Sequence, residues 1–267
     1  KSNPTINAEK HRRGKFFYIT DLKNAYPSVD LERLALIIVF LSEYAEYDLR
    51  MSLKFFLEDE RTGILREDPL YQEILLLLRC HFAGLFGKGL AVGGPLSPYL
   101  MNLYCEVYLD SRVRRWCEKN NIVYTRYVDD LVFSSASIIT TEQRKEIRRF
   151  VSDAGFGVNH RKSQVLTIAQ GAVFITKVGL EKQQDEELAR VFFPQKKRRR
   201  LHGAIMSYLA FQMDWPEKVS GLIAEFLYYF KRTPHRTETD WKTFRLCRDF
   251  EEEWRKYRKG PAPRRQT

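Results

Sequence analysis

The fold is decided by one stretch in the middle of the chain, Asn121-Ile122-Val123-Tyr124-Thr125-Arg126-Tyr127-Val128-Asp129-Asp130-Leu131-Val132-Phe133-Ser134-Ser135. Both flanks are rich in β-branched and aromatic residues, which predicts two strands. The acidic pair Asp129-Asp130 between them predicts a tight hairpin turn. Because neighbouring side chains on a strand point to opposite faces, we assign the inward position to Asp129 and a supporting role to Asp130. A solvated acidic turn is the alternative, and the apolar strands on both sides argue against it.

The amino-acid composition indicates which kinds of partner and which cellular location to expect. The 267 residues include 45 Lys+Arg against 34 Asp+Glu, a net charge of +11. This excess favours a polyanionic partner, nucleic acid before membrane, although a merely basic protein would show it too. No stretch reaches the roughly 18 apolar residues of a membrane span, and the first residues, Lys1-Ser2-Asn3-Pro4, lack the apolar region expected of a signal peptide. The four cysteines are far apart, which argues against a zinc site or disulfide framework and favours a reducing, cytoplasmic location.

The first half of the chain predicts a strand followed by helices. Lys15–Asp21 is apolar and ends in a carboxylate, which predicts a buried strand. A helix is expected to begin near Leu31, capped by Ser28 or Asp30, and a second is predicted over Leu70–Phe86. A glycine-rich loop follows, with Gly84, Gly87, Gly89, Gly93 and Gly94. Ser97 is then predicted to cap a helix that runs to about Lys119, with Pro98 at its first position. Residues 43–70 are mixed in character.

The second half predicts an α+β core with an appended helical region. A helix over 141–154, short strands up to Leu180 and a helical pattern from Gln195 onward follow the hairpin. We therefore expect one domain over residues 1–190 and a helical domain over 191–267, ending in a disordered basic tail from Gly260. The first residue is Lys1, not Met, so we expect further residues to precede it.

Two carboxylates stand at the ends of predicted strands. Asp21 closes the first strand and Asp129 lies at the hairpin, 108 positions later (129 − 21). Converging carboxylates can hold a pair of Mg²⁺ ions, which prefer hard oxygen ligands together with substrate phosphates. Two such ions about 4 Å apart promote phosphoryl transfer by activating one oxygen and stabilising the leaving oxygen.

The sequence resembles the reverse transcriptases in five segments that occur in the order of that family. They are similar to its motifs A to E: Asp21-Leu22-Lys23-Asn24-Ala25-Tyr26, Gly94-Pro95-Leu96-Ser97-Pro98 with Asn102, Tyr127-Val128-Asp129-Asp130, Gly155-Phe156-Gly157-Val158-Asn159-His160-Arg161-Lys162, and the primer-grip strand pair Phe174-Ile175-Thr176-Lys177-Val178-Gly179-Leu180. The resemblance implies a right-hand polymerase with a palm, partial fingers and a C-terminal helical thumb. It implies two Mg²⁺ ions and dNTP substrates.

The resemblance also implies a role for each matching residue. Metal ligands would be Asp21, Asp129 and Asp130, with the backbone carbonyl of Leu22 as a further ligand. Tyr26 would exclude a ribose 2′-hydroxyl, and Lys162 would protonate or neutralise the departing pyrophosphate. The nucleotide and template pocket would be shaped by Gly93, Gly94 and Ser97. Without the motifs, Tyr26 would be interpreted as a core aromatic and Lys162 as a solvated lysine.

Departures from the family pattern leave the subclass open. Val92 stands where the family usually has a Gln that helps to hold the incoming nucleotide, and the fingers motifs expected before residue 7 are absent. Asn7-Ala8-Glu9-Lys10-His11 resembles an element of the retron enzymes, whereas Ile175-Thr176-Lys177-Val178-Gly179 fits their motif E poorly. A retron, a group II intron or an antiviral-defence enzyme therefore remain alternatives.

A basic run opens the helical region and is predicted to contact nucleic acid: Lys196, Lys197, Arg198, Arg199 and Arg200. Expected partners are an RNA template such as a structured non-coding RNA, a DNA or RNA primer and the cDNA product, with an effector protein or a second copy as further candidates and no membrane. Rival functions are RNA-dependent RNA synthesis, template-independent or protein-primed DNA synthesis, and a nucleic-acid-binding scaffold with an inactive polymerase core.

Overall fold

The computed structural model describes residues 4–43, 66–67, 69–183, 187–211, 216–233 and 236–259. Most of the mixed segment 43–70 and the predicted tail from Gly260 lie outside these residues. The chain divides into two compact units, Gly14–Thr167 and a second that combines Lys1–Arg13 with Ile168–Thr267. The division into palm and thumb near residue 190 stays a prediction. None of the described helices is both long and apolar enough to cross a membrane.

The first unit is built on a five-stranded antiparallel sheet around one central strand. Its strands are β1 (Phe16–Lys23), β2 (Val123–Tyr127), β3 (Asp130–Ser135), β4 (Gly157–Val158) and β5 (Gln164–Thr167). The order is β2-β3-β1-β4, and β5 also pairs with β1. Strand β1 thus pairs with three others, which explains why Phe17 and Leu22 are almost fully buried. The predicted buried strand and strand hairpin are both present.

The hairpin turn differs by one residue from the prediction. Tyr127 pairs with Asp130, so the two turn residues are Val128 and Asp129, and Asp130 begins β3. Val128 has a φ of 57°, a left-handed conformation that a β-branched residue rarely adopts. Such a residue costs about 1–3 kcal/mol and persists only where its surroundings hold it. The tertiary contacts of the turn therefore select this register.

Helices cover this sheet and supply the core. They are α2 (Leu31–Glu43), α3 (Pro69–His81), α4 (Ser97–Cys105), a π-helical turn (Glu106–Asp110), α5 (Ser111–Lys119) and α6 (Thr141–Asp153). Asp30 caps α2, since its Oδ1 accepts from the amides of Glu32 and Arg33 at 2.9 and 3.1 Å. Fully buried core side chains include Leu34, Ile37, Leu78, Met101, Tyr104, Phe133 and Ile147.

Helix α3 ends five residues before the predicted boundary at Phe86. After His81 the chain turns back on itself, with the Gly84 amide donating to the Gly89 carbonyl at 3.1 Å. A Cβ at Gly84 would lie 2.8 Å from the Lys88 carbonyl oxygen, so this close return requires glycine. The apolar residues of Leu70–Phe86 continue past the end of the helix, and their spacing gives no sign of this loop. The sequence pattern therefore predicted a helix that was too long.

The second unit combines a small sheet with helices. Its strands are β6 (Val173–Ile175), β7 (Val178–Glu181) and β8 (Arg190–Phe192), and its helices are α1 (Pro4–Lys10), α7 (Gln195–Phe211), α8 (Pro216–Arg232) and α9 (Glu238–Lys259). The predicted strand pair is therefore a hairpin, β6–β7. A Cβ at Gly179 would lie 2.2 Å from the Phe192 ring, so β7 needs glycine where β8 packs on it. The three C-terminal helices match the predicted helical region.

The buried His11 should make the stability of this unit depend on pH. Burial lowers the pKa of its imidazole to about 3, with the charge of Lys10 adding to the effect. In the unfolded chain His11 binds a proton as the pH falls through about 6.5, whereas in the folded chain it stays neutral until the pH nears 3. The free energy of unfolding is therefore highest above pH 6.5 and decreases as the pH falls from 6.5 toward 3. Lowering the pH from 7.5 to 5.5 should cost about 1.4 kcal/mol more in wild type than in His11→Gln. Urea denaturation at both pH values measures this difference, and equal pH dependence in both proteins would contradict it.

Candidate active site

Strand pairing brings three carboxylate-bearing residues to one end of the first unit's sheet. Asp21 lies directly opposite Asp130 in the β1–β3 register. Beside this pair, the amide of Leu22 donates to the backbone carbonyl of Asp129 at 2.9 Å. The residues that are far apart in sequence are thus neighbours in the fold. Leu22 itself is buried and pairs with Val158 on the other side of β1, and its role as a metal ligand stays a prediction.

The carboxylate of Asp21 is buried and half satisfied. Its Oδ2 accepts from Lys162 Nζ at 2.9 Å and from Asn159 Nδ2 at 3.5 Å. Its Oδ1 is buried and accepts no hydrogen bond from any residue that the structure describes. A buried charged oxygen without a partner is costly, so this atom is suited to a ligand that supplies positive charge.

Lys162 places a positive charge against the carboxylates. Its hydrogen bond to Asp21 raises the pKa of the Lys162 ammonium, and the negative charges of Asp21, Asp129 and Asp130 raise it further. The lysine side chain is nevertheless 68% exposed. The ammonium therefore faces the carboxylates from the solvent side, where a phosphate group could also reach it.

The turn that carries Lys162 is anchored to β1. The Asn159 amide donates to the Asp21 carbonyl at 2.9 Å, and the Lys162 amide donates to the Asn159 carbonyl at 3.1 Å. The hydroxyls of Ser163 and Thr20 are hydrogen-bonded at 2.7 Å. These contacts fix the turn on the strand that carries Asp21, which explains how a lysine 141 positions away reaches that carboxylate.

The carboxylates have the right chemistry to bind a divalent cation, but their present arrangement does not form a complete site. Within the described ranges, no three His, Cys, Asp or Glu side chains are placed to hold a metal ion as they stand. The unpartnered Oδ1 of Asp21, a residue that pairs with Asp130 across the sheet, is nevertheless a hard, buried oxygen of the kind that Mg²⁺ prefers. The residues therefore fit a Mg²⁺ site that requires local side-chain movement.

The backbone of Tyr26 is held by the glycine-rich loop. Its carbonyl accepts from the Leu90 amide at 2.8 Å. Gly89, with a φ of +55°, makes this approach possible, because a Cβ there would lie 2.3 Å from the Pro27 carbonyl oxygen. The ring is half-buried; burial raises the pKa of the Tyr26 phenol, and the charge of Asp129 raises it further. The phenol is therefore within electrostatic reach of Asp129.

The buried side chain of Ser97 holds the loop before α4 together by a hydrogen bond to the loop backbone. Leu96 is the N-cap of α4 and makes no side-chain capping bond, so the prediction that Ser97 caps the helix is wrong. Ser97 is 1% exposed and its hydroxyl donates to the Ala91 carbonyl at 2.7 Å. Gly94 packs against it, since a Cβ there would lie 2.6 Å from Ser97 Oγ, whereas Gly93 has a φ of +86° and open space around it. Ser97 thus shapes the loop, and Gly93 and Val92 lie on its open side.

A family profile described as "Reverse transcriptase (RNA-dependent DNA polymerase)" matches residues 68–220. This range is more than half of the chain and contains the hairpin, the Lys162 turn and the glycine-rich loop. The chain belongs to the reverse transcriptase family. Its α+β architecture, with strands β1 and β3 carrying the carboxylates, is the palm fold that the five segments predicted.

Named relatives of this reverse transcriptase family member are retron enzymes. The retron Mx65 reverse transcriptase of Myxococcus xanthus is 30% identical over 148 residues, which cover 54% of this chain and 31% of that protein. The retron Ec73 reverse transcriptase of Escherichia coli is 25% identical over 232 residues, covering 84% of this chain and 65% of that protein. The chain therefore spans less than two thirds of the length of either relative. Among solved structures, the chain is similar to a telomerase from Candida albicans in complex with a fragment of telomeric RNA. The match covers 94% of this chain and 48% of the telomerase chain, at 13% sequence identity and a TM-score of 0.45.

One feature of this reverse transcriptase fold escaped the sequence analysis: a buried ion pair behind the hairpin. Arg126 and Asp110 have side chains that are each 7% exposed, and Arg126 Nη2 donates to Asp110 Oδ2 at 2.7 Å. Burial opposes the charge on Arg126, but its bonds to Asp110 outweigh burial and raise the pKa of the guanidinium. The sequence could have indicated this pair, because an arginine lies within an apolar strand and an aspartate lies on the core side of a helix. Buried charges of opposite sign are stable only when they are paired.

The residues of the basic run in the second unit differ in their surroundings: two form ion pairs within the unit and three are exposed. Arg198 donates to Asp240 Oδ1 at 2.7 Å, where the Asp240 side chain is 1% exposed. Lys197 pairs with Glu225. Lys196, Arg199 and Arg200 are exposed at the start of α7. These three residues are therefore the part of the run that is presented to solvent.

Proposed function

We propose that the chain forms the catalytic part of a retron-type reverse transcriptase, an RNA-directed DNA polymerase that extends a primer 3′-hydroxyl with dNTPs. The observation that carries the proposal is the meeting of Asp21, Asp129 and Asp130 at one end of the sheet, in a chain of the reverse transcriptase family. The retron enzymes among its relatives support the subclass.

The carboxylates would hold two Mg²⁺ ions during the reaction. When bound, these ions would supply activation of the primer hydroxyl and charge stabilisation of the leaving oxygen. The unpartnered Asp21 Oδ1 supports this assignment. Asp129, carried by the two-residue turn, would be the second carboxylate that holds the ions, and Asp130 would support it from the start of β3.

Lys162 and Tyr26 would act on the nucleotide. The exposed ammonium of Lys162 would neutralise the departing pyrophosphate or donate a proton to it. Its raised pKa keeps the group charged at neutral pH, which supports the neutralising role. Tyr26 would place its ring under the incoming sugar and exclude a 2′-hydroxyl. Its half-buried position beside Asp129 supports that role.

The partners of the chain would be nucleic acids. We infer an RNA template, for which a structured non-coding RNA is the leading candidate, a primer and the cDNA product, bound partly through the exposed residues of the basic run. We place the protein in the cytoplasm, where its four free thiols would remain reduced. An effector protein is a further partner to be tested.

Primer extension by the purified full-length protein tests this function. RNA and DNA templates of the same sequence, and a reaction without template, would each be supplied with Mg²⁺ and either dNTPs or NTPs. We expect dNTP incorporation that follows the RNA template. Extension without a template would favour the template-independent rival, NTP preference would favour an RNA polymerase, and absence of extension with intact nucleic-acid binding would favour the inactive scaffold.

The exposed basic residues should carry part of the nucleic-acid affinity. Changing Lys196, Arg199 and Arg200 to Gln should weaken binding to all sequences alike, since phosphate contacts do not distinguish bases. Each lost contact removes roughly 0.7–0.9 from the slope of log K against log salt, so the slope should fall by about 2 to 3. Fluorescence anisotropy over a salt series measures it.

The matched control removes three exposed charges from α9 of the same unit, with Lys242, Arg245 and Arg248 changed to Gln. This set should leave the slope nearly unchanged. If both triple variants lower the slope equally, binding is diffuse, and if neither does, the basic run is only solvated.

A further inference from the structure

The guanidinium of Arg126 is hydrogen-bonded to the strained turn that carries Asp129. Arg126 Nη1 donates to the Val128 carbonyl at 2.8 Å, and Val128 is the turn residue with the left-handed backbone. The same Nη1 donates to Asn102 Oδ1 at 2.9 Å. Arg126 therefore connects the hairpin turn to helix α4, which follows the glycine-rich loop.

The other side of the guanidinium is fixed by Asp110. Nε donates to Asp110 Oδ1 at 2.9 Å and Nη2 donates to Oδ2 at 2.7 Å, a bidentate pair with a defined plane. Tyr124 adds a hydrogen bond from its hydroxyl to Asp110 Oδ1 at 2.7 Å. Asp110 stands at the end of the π-helical turn, a local irregularity of the kind that is frequent near functional sites. Asp110 thus orients the guanidinium, and the guanidinium orients the turn.

We propose that Arg126 is a positioning residue for Asp129, acting with Asp110 and Asn102 to hold the Val128-Asp129 turn in its reactive conformation. The inference rests on the proposed function for its catalytic consequence, although the effect on the turn is independent of it. Arg126 acts on the turn through its hydrogen bond to the Val128 carbonyl. A fold-stabilising ion pair would need only Asp110, and the contacts of Nη1 with Val128 and Asn102 indicate the second role.

Three substitutions separate positioning from stability. Arg126→Lys keeps the charge but cannot bond Asp110, Asn102 and Val128 at once, because an ammonium lacks the planar fork. Asn102→Ala removes an exposed partner on the turn side and should leave folding intact. Tyr124→Phe is the matched control, since it removes a bond to the same Asp110 but neither of the bonds that Arg126 Nη1 makes with Val128 and Asn102.

Hydrogen exchange and metal dependence provide the readouts in the full-length protein. Amide exchange in a peptide covering Tyr127–Leu131 should rise about tenfold in Arg126→Lys and about threefold in Asn102→Ala, while α6 peptides stay unchanged. Tyr124→Phe should lower the melting temperature without a selective change at the turn. The Mg²⁺ concentration that gives half-maximal primer extension should rise several-fold in the first two variants and not in the control.

The outcomes distinguish this inference from the proposed function. Exchange that is unchanged at the turn, or raised equally throughout the unit, overturns the positioning role, as does an unchanged Mg²⁺ requirement in an active enzyme. An inactive wild type whose turn still loosens selectively in Arg126→Lys and Asn102→Ala supports the positioning role and rejects the polymerase function.

Discussion

Asp129→Asn is expected to lower dNTP incorporation by about 1,000-fold or more, which corresponds to about 4 kcal/mol at 1.36 kcal/mol per tenfold. The substitution removes one negative charge from the hairpin and almost no volume. Asp21→Asn should have a similar effect, because Asp21 carries the buried oxygen that lacks a hydrogen-bond donor among the described residues. Asp130→Asn should be milder. Single-turnover primer extension on an RNA template measures all three.

Folding and nucleic-acid binding should survive these substitutions. Asp21 is 6% exposed, and replacing a desolvated carboxylate by an isosteric amide removes an electrostatic cost even as the bond to Lys162 is weakened. Asp153→Asn is the matched control, an exposed acid on α6 whose Oδ2 lies 4.0 Å from Arg112 Nη1. It should extend primers like wild type. Extension by Asp129→Asn at the rate of Asp153→Asn would reject the two-metal assignment.

Tyr26→Ala is expected to raise ribonucleotide use relative to deoxyribonucleotide use by a few hundred-fold. The Tyr26 phenol is within electrostatic reach of Asp129, and a deoxyribose would fit over the ring whereas a 2′-hydroxyl would overlap it. An overlap that costs about 3–4 kcal/mol corresponds to a change of that size. The gate is held in place by the bond between the Tyr26 carbonyl and the Leu90 amide, which the substitution leaves intact.

Two further variants test whether ring volume is the cause. Tyr26→Val should also relax selection, whereas Tyr26→Phe should keep it, because the argument depends on the ring and not on the phenol. Single-nucleotide extension with dATP and with ATP gives the ratio for each variant. A wild type that accepts ATP as readily as dATP, or a Tyr26→Ala ratio that does not move, would reject the steric gate and favour the RNA-polymerase rival.

Local sequence patterns were sufficient where the chain's own periodicity decides the structure. The apolar run before Asp21 and the two runs around Asp129 predict strands because β-branched and aromatic side chains fill a buried sheet. A cap for α2 at Ser28 or Asp30 was predictable because capping needs only neighbouring amides, and the structure selects Asp30. The resemblance in five ordered segments then supplied the family, which the profile match confirms.

Features that depend on tertiary contacts were not predictable from the same patterns. Placing the turn at Val128-Asp129 requires positive φ at a valine, which local propensity opposes and the Arg126 bond to the Val128 carbonyl favours. Ser97 had the sequence context of a cap, yet its hydroxyl bonds the loop that precedes it. Arg198 looked like part of a uniform basic surface until Asp240, 42 positions later, proved to be its partner.

Binding of Mn²⁺ followed by electron paramagnetic resonance tests the central claim most directly, namely that Asp21, Asp129 and Asp130 form a divalent-metal centre. The full-length protein would be titrated with Mn²⁺ in the presence of a dideoxy-terminated primer, an RNA template and the next dNTP, with the protein-free mixture as background. We predict two bound ions per chain in wild type and in Asp153→Asn, and at most one in Asp129→Asn. Two ions bound equally well by Asp129→Asn, or none above background in wild type, would contradict the account.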